Sequence, residues 1–161
     1  AYLEFENGAT GVFVTTTGDA PGTNRFEVTG TKGKLVCEND QLTFWKLGMD
    51  EREFCRTAKE GFAKPECQEI QVETDGENQQ HVGVLNAFAG KILRGTPLVA
   101  DGKEGINGLT LSNAMHLSSW LKHPVEIPFD EGLFLAELDK RRATSRKKES
   151  QEITFSTEGS Y

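Results

Sequence analysis

The sequence lacks a hydrophobic run long enough to cross a membrane, and it lacks a signal peptide. A membrane-spanning helix needs about 20 consecutive apolar residues, and no stretch of the chain approaches that length. We therefore expect no membrane role and a cytoplasmic location. No Met precedes Ala1, and the first residues, Tyr2-Leu3-Glu4-Phe5, already alternate like a strand in mid-course. We accordingly expect the chain to begin within a larger protein.

Cysteine is scarce, and its spacing indicates no bridge or metal site. Cys37, Cys55 and Cys67 show neither CxxC spacing nor a His at a metal-ligand distance along the chain. They are typical of reduced thiols in a cytosolic protein. The three His residues form no HExxH motif. The sequence therefore predicts no metal site.

Positive charge is also in deficit, because 18 Lys and Arg stand against 25 Asp and Glu, for a net charge of −7. Binding to nucleic-acid phosphates depends mainly on Lys and Arg, so we expect neither a nucleic-acid nor an anionic-membrane partner. The basic segment 140–148 is a local exception. Such a run is typical of a solvated helix end, and we assign it no function.

Motifs for catalysis and for dinucleotide binding are missing as well. There is no GxSxG nucleophile motif. The nearest Gly-rich run, residues 102–108, follows no buried strand and carries Glu104 where a pyrophosphate would approach. The sequence therefore predicts no catalytic and no cofactor-binding residue, and we expect the chain by itself to be inactive.

Apolar residues are plentiful enough for a folded domain. Hydrophobic residues make up 36%, with ten Phe and two Trp, and a chain of this length buries roughly two-thirds of its unfolded surface. In residues 1–46, short segments with the alternating pattern of β-strands are separated by turns such as Asn7-Gly8 and Asn39-Asp40. Sequential hairpins imply antiparallel pairing. One of these strands is predicted at residues 11–17. Two more are predicted later in the chain, at residues 69–73 and 125–127.

Helical patterns dominate the second half. Apolar residues recur at three and four positions over residues 79–94 before Gly95, over 103–121, and over 131–142 after Asp130. Residues 49–58 are weakly helical, and residues 153–155 belong either to an edge strand or to a frayed tail. Strands followed by helices predict an α+β domain.

A possible ligand-binding set lies on or beside the predicted strands. Its hydroxyl, amide, guanidinium and indole groups are the types that contact a polyhydroxylated ligand by hydrogen bonding and stacking. Ordinary solvent-facing strand residues would show the same pattern, so the set is a hypothesis. Its members are Thr15, Thr17, Asn24, Arg25 and Trp45.

Seven groups of short motifs resemble one protein family. They are FENGATG at 5–11, RFEVTGTKG at 25–33, NAF at 86–88 with GTPL at 95–98, DGKEG at 101–105, LSNA at 111–114, SSW at 118–120 and VEIP at 125–128. In order and spacing they are similar to the C-terminal domain of the Gfo/Idh/MocA oxidoreductases, the relatives of glucose-fructose oxidoreductase and inositol dehydrogenase. The resemblance extends to about Leu138.

The resemblance implies an open, mostly antiparallel mixed sheet with helices packed on one face, as in the C-terminal domain of glyceraldehyde-3-phosphate dehydrogenase. It implies a substrate-binding and dimerisation domain over residues 1–145 and a polar tail over 146–161. An N-terminal Rossmann domain outside this chain would bind NAD or NADP. The parent enzyme would act on a sugar, inositol or related polyol and form a homo-oligomer through the sheet.

The family's glycine-rich fingerprint, its Glu-Lys-Pro segment and its catalytic Asp and His have no counterpart in the sequence, so no catalytic residue is carried over. Two alternatives stay open. One is a stand-alone binding or scaffold protein that uses the same sheet without redox activity. The other is a hydrolase built on the same family fold. A Rossmann fingerprint upstream in the same reading frame would favour the oxidoreductase over the scaffold.

Overall fold

The computed structural model of the chain describes residues 1–77 and 79–147, and it divides into two compact units. One unit comprises Ala1–Val12 with the chain from Leu98 onwards, and the other comprises Phe13–Pro97. The predicted α+β class is confirmed. The elements are β1 (Tyr2–Glu4), β2 (Thr10–Val12), β3 (Arg25–Gly30), β4 (Gly33–Glu38), β5 (Gln41–Leu47), α1 (Glu51–Thr57), β6 (Cys67–Val72), α2 (Gln80–Arg94), a 3-10 turn (Gly102–Glu104), α3 (Gly105–Leu121) and α4 (Glu131–Thr144).

The unit Phe13–Pro97 is built on a four-stranded antiparallel sheet in the order β3-β4-β5-β6. Its register pairs Phe26 with Cys37, Cys37 with Leu42 and Leu42 with Val72. Since successive side chains of a strand point to opposite faces, this register collects the apolar residues on one side. This apolar face consists of Phe26, Val28, Leu35, Cys37, Leu42, Phe44, Ile70 and Val72.

The opposite side, the polar face, carries Arg25, Glu27, Thr29, Lys34, Val36, Glu38, Thr43, Trp45, Glu69 and Gln71. The most buried residues of the sheet lie on the polar face, where exposed residues would be expected. On the polar face, Val36 is only 5% exposed and Thr43 only 9%, whereas on the apolar face Phe26 is 69% exposed and Val28 48%. Val36 and Thr43 are flanked on this face by the long side chains of Glu27, Lys34, Trp45 and Gln71, and long polar side chains cover apolar surface with their stems.

The β3–β4 turn requires glycine at position 33. Gly33 has φ of 146°, and a Cβ atom there would lie 2.2 Å from the carbonyl oxygen of Trp45. The same turn is joined to α1, because Glu51 N donates to Thr31 O at 2.7 Å. Asp50 caps α1 by accepting from Arg52 N at 3.0 Å. A hydrogen bond from the Thr31 side chain is the main cause that lowers the pKa of Asp50.

The second unit contains the β1–β2 hairpin and the helices α3 and α4. Leu117 of α3 is 1% exposed, and Trp120 stacks on His116 and Phe134 with ring centroids 5.6 and 5.5 Å away. The Arg141 guanidinium lies 4.2 Å from the Trp120 ring, within cation–π range. These contacts join α3 to α4.

Carboxylates of α4 neutralise much of the basic segment. Glu137 pairs with Lys140 and Arg141, and Asp139 pairs with Arg142 at 2.9 Å. The hydrogen bonds from Lys140 and then Arg141 lower the pKa of Glu137. This geometry supports the interpretation of the segment as a helix end. Lys148, the edge-strand or tail alternatives for residues 153–155, and most of the predicted tail lie outside the described residues.

Two predicted strands are wrong. Residues 11–17 contribute only the end of β2, and residues 13–24 lie in neither helix nor strand. Residues 125–127 are likewise not a strand. Both segments are rich in β-branched residues, but this preference reflects packing in a sheet. Beyond Gly11 and Val12, neither segment pairs with a strand within residues 1–77 and 79–147. None of the described helices is long and apolar enough to cross a membrane.

We expect Gly33→Ala to lower the free energy of unfolding by about 1–3 kcal/mol or more, because the new methyl group collides with backbone at a positive φ. Denaturant unfolding followed by circular dichroism measures the change. Gly108→Ala is the matched control. It lies inside α3 with nothing within 4 Å of the added Cβ, so it should stabilise by about 0.5–1 kcal/mol. Equal effects of the two substitutions would contradict the proposed constraint.

Candidate functional site

The structure separates the five predicted ligand-binding residues into two groups. Thr15 and Thr17 are exposed within residues 13–24, and Asn24 directly precedes β3. Arg25 of β3 and Trp45 of β5 lie on the polar face of the sheet. Only Arg25 and Trp45 are therefore held by regular secondary structure.

The Arg25 guanidinium is already paired with carboxylates of the sheet. Its Nη1 lies 2.6 Å from Glu38 Oε2, and its Nη2 pairs with Glu27. Two hydrogen bonds raise the pKa of Arg25. The one to Glu27 has the larger effect, and the one to Glu38 has the next largest. The hydrogen bond from Arg25 likewise lowers the pKa of Glu27. Since these groups are exposed, solvent and salt screen their attraction, and their main consequence is to hold Arg25 in place.

Trp45 is held on both its ring and its indole nitrogen. Lys34 Nζ lies 4.8 Å from the ring centroid, a cation–π distance. The indole Nε1 donates to Glu69 Oε2 at 3.2 Å. Gln71 Nε2 donates to the other oxygen of Glu69 at 3.4 Å, and Thr43 Oγ1 donates to Gln71 Oε1 at 3.2 Å. The indole is thus fixed by partners on β4 and β6.

Lys34 connects the two clusters, because its Nζ also lies 3.8 Å from Glu27 Oε1. The sequence-based set missed Lys34, Glu27 and Glu69. The β3–β4 turn could have indicated Lys34, because counting outwards from Gly30 and Gly33 places Lys34 opposite Thr29 and Glu38 opposite Arg25. Glu69 lies opposite Trp45 only through the pairing of β5 with β6. The result is a continuous polar network across four strands.

Two shallow depressions adjoin the β3–β4 turn. The one on the polar side has a volume of about 330 Å³ and is lined by Thr29, Lys34, Trp45, Leu47, Glu51 and Cys67, with Gly30 and Gly33. The other has a volume of about 270 Å³ and is lined by the turn with Val28, Leu35 and Phe44 of the apolar face. Only the first depression offers side chains of both charges with a hydroxyl and an aromatic ring.

The Cys55 thiol is not activated for nucleophilic catalysis. All three cysteines are free and exposed. Cys55 Sγ donates to Glu51 Oε1 at 3.0 Å, and this hydrogen bond raises the pKa of the Cys55 thiol. A reactive cysteine requires the opposite shift. Among residues 1–77 and 79–147, no cluster of His, Cys, Asp and Glu is placed to hold a metal ion.

One protein-family model matches the chain over residues 1–127. Its description is "Oxidoreductase family, C-terminal alpha/beta domain", and its label is GFO_IDH_MocA_C. The matched region contains both faces of the sheet and all five predicted ligand-binding residues. No curated protein matches the chain.

Arg25→Gln should raise the pKa of Glu27, because it removes the hydrogen bond that chiefly lowers it. A lowered folded-state pKa adds stability above the unfolded pKa, which is about 4.3 for Glu, and this stability is lost as pH falls through the folded value. The difference in the free energy of unfolding between neutral and acidic pH should therefore be smaller in the variant than in the parent chain. Carboxyl-carbon NMR titration measures the pKa, with Arg56→Gln on α1 as control. An unchanged Glu27 pKa in Arg25→Gln would refute the assignment.

Proposed function

Because the chain belongs to the Gfo/Idh/MocA oxidoreductase family as its C-terminal alpha/beta domain, we propose that it is the substrate-binding and oligomerisation domain of an NAD(P)-dependent enzyme. The substrate would be a sugar, inositol or related polyol. The observation that carries this proposal is the family match, which spans a sheet with two chemically different faces. The polar face serves the substrate, and the apolar face serves self-association.

The polar face has the chemistry that a polyol needs. Each hydroxyl of a polyol donates one hydrogen bond and accepts others. The network of alternating cations and carboxylates between Arg25 and Glu69 offers both kinds of partner. Because the side chains hold each other, a ligand meets groups that are already ordered, which lowers the entropic cost of binding.

The apolar face supports the proposal of a homo-oligomer. Phe26, Val28 and Leu35 are all at least 41% exposed on the adjoining strands β3 and β4. A contiguous exposed apolar patch of this kind marks an interaction surface in folded proteins. A second copy of the chain presents the same patch, and a self-complementary contact of this type closes a twofold dimer.

Hydride transfer would need a further domain. The reaction requires a nicotinamide held against the substrate carbon and a base for the hydroxyl proton. In this chain, the start of the Gly-rich run forms a 3-10 turn in which Asp101 Oδ1 accepts from Lys103 N at 2.9 Å, so a carboxylate already caps this backbone N–H. We propose an N-terminal Rossmann domain as partner in the parent enzyme, and a cytoplasmic location in view of the free thiols.

The chain alone should be inactive with NAD or NADP and a panel of sugars and polyols, because it supplies neither the nicotinamide site nor the base. Reduced-nicotinamide absorbance is the measurement. The protein from the complete reading frame that contains the chain is the positive control, and it should reduce the cofactor with at least one polyol. Sustained reduction by the chain alone, or none by the longer protein, would overturn the proposal.

Val28→Glu should dissociate the proposed oligomer, because it puts a charge into the exposed apolar face. Sedimentation velocity over a concentration series should show a dimer for the parent chain and a monomer for the variant. Thr29→Glu is the matched control, since it adds the same charge at the next position on the polar face, and it should still associate. Identical sedimentation of the two variants would contradict the assignment of the faces.

A further inference from the structure

We propose that the Asn7 side chain is a site of spontaneous deamidation, and that the fold directs this reaction to the β1–β2 hairpin. The sequence contains two Asn-Gly pairs, Asn7-Gly8 and Asn107-Gly108. The first lies in the hairpin turn and the second in α3. Asparagine is a thermolabile residue, and the backbone around the two pairs differs. Neither pair belongs to the four-stranded sheet, so the site does not depend on the proposed function.

The reaction joins two groups that are neighbours along the chain. The backbone nitrogen of Gly8 gives up its proton and bonds to Cγ of Asn7. The C–N bond of the side-chain amide breaks, and the amide nitrogen takes up a proton and leaves as ammonia. Water then opens the resulting five-membered succinimide ring at one of its two carbonyl carbons, which leaves aspartate or isoaspartate at position 7. Water is the co-reactant, and nothing is oxidised or reduced.

The turn holds both reacting groups in solvent. Asn7 and Gly8 are exposed, and nothing lies within 4 Å of the place that a Cβ of Gly8 would take. No side chain therefore shields the attacking nitrogen. Asn7 Oδ1 accepts a hydrogen bond from Ala9 N at 3.0 Å. This bond keeps the amide carbonyl beside the Gly8 peptide and polarises it towards attack.

One hydrogen bond restrains the reaction while the hairpin is closed. Gly8 N donates to Phe5 O at 2.8 Å, and its proton must leave that bond before the nitrogen can attack. The hairpin opens readily, because each strand has three residues and all of them except Leu3 and Gly11 are exposed. A hairpin of this size is marginally stable, and such elements open locally at a low free energy. Attack by Gly8 N therefore follows a frequent opening of the turn.

The second Asn-Gly pair is held more firmly. Asn107 and Gly108 belong to α3, a helix of 17 residues in which Leu117 is 1% exposed. The 3-10 turn Gly102–Glu104 precedes them, so they do not lie at a free helix end. The succinimide ring requires an asparagine ψ outside the helical range. Asn107 therefore reacts only after the start of α3 unwinds, which we expect to be rarer than opening of the hairpin.

Isoaspartate at position 7 would disrupt the turn. It adds one methylene group to the main chain, and the two turn bonds, Gly8 N to Phe5 O and Phe5 N to Ala9 O at 2.9 Å, depend on the number of main-chain atoms between them. We expect the backbone amides of Phe5 and Gly8 to exchange hydrogen faster in the isoaspartate fraction than in the untreated chain. Unchanged exchange would contradict this consequence.

Incubation of the full chain in mildly alkaline buffer tests the site. Peptide mapping by mass spectrometry, with fragmentation to locate the modified residue, measures conversion at Asn7 and at Asn107. In the folded chain, conversion at Asn7 should exceed that at Asn107 by at least about tenfold, which corresponds to a difference in opening free energy of about 1.4 kcal/mol. In guanidinium chloride the two sites should convert at similar rates, because the unfolded chain offers the same dipeptide twice.

Asn7→Gln should abolish conversion at the hairpin, because glutamine would have to close a six-membered ring. Asn107→Gln is the matched control, since it removes the other Asn-Gly pair and should leave conversion at Asn7 unchanged. Three results would overturn the proposal: no conversion at Asn7, equal conversion of the two sites in the folded chain, or a preference for Asn7 that persists in guanidinium chloride.

Discussion

The two-residue period of the β-strand is the constraint on which the rest of the structure depends. A shift of one residue in the pairing of β3 with β4 would move the charged side chains of β3 to the apolar face and its apolar side chains to the polar face. Gly33 allows the close approach of β4 and β5 next to the β3–β4 turn, because a Cβ atom there would lie 2.2 Å from the carbonyl oxygen of Trp45 on β5. The apolar face and the polar network both include residues of the two strands that this turn joins.

The polar network positions side chains as a connected unit, although its separate ion pairs contribute little to stability. Exposed pairs such as Arg25–Glu38 contribute little to stability one by one. Linked through Glu27 and Lys34 to Trp45, however, they hold an aromatic ring and an ammonium group in fixed relation beside the depression. The groups are suited to hydrogen bonding with hydroxyls, and the raised pKa of Cys55 suits a thiol that stays protonated. In the proposed function, this chain recognises the substrate and the redox step belongs to the proposed partner domain.

Local signals predicted most elements correctly, and they did so where the chain carries its own stop and start residues. Gly95 ends α2 with φ of 70°, and Asp130 begins α4 by accepting from Gly132 N at 2.8 Å. The strand predictions at residues 11–17 and 125–127 were wrong because a strand needs a neighbour, which composition does not reveal. For the candidate site, Arg25 and Trp45 were predicted as binding residues, but Lys34 and Glu51 were not.

The sequence by itself determined the α+β class, the antiparallel hairpins, the three long helices and the family, because periodicity, turn residues and ordered motifs are local properties. Only the tertiary structure decided that Arg25 pairs with two carboxylates, that Phe26 and Val28 of the apolar face are exposed, and that Lys34, Trp45 and Glu51 line one space. Those facts depend on register and on where α1 meets the turn. They follow from the pairing of residues distant in the chain, which no single stretch of sequence contains.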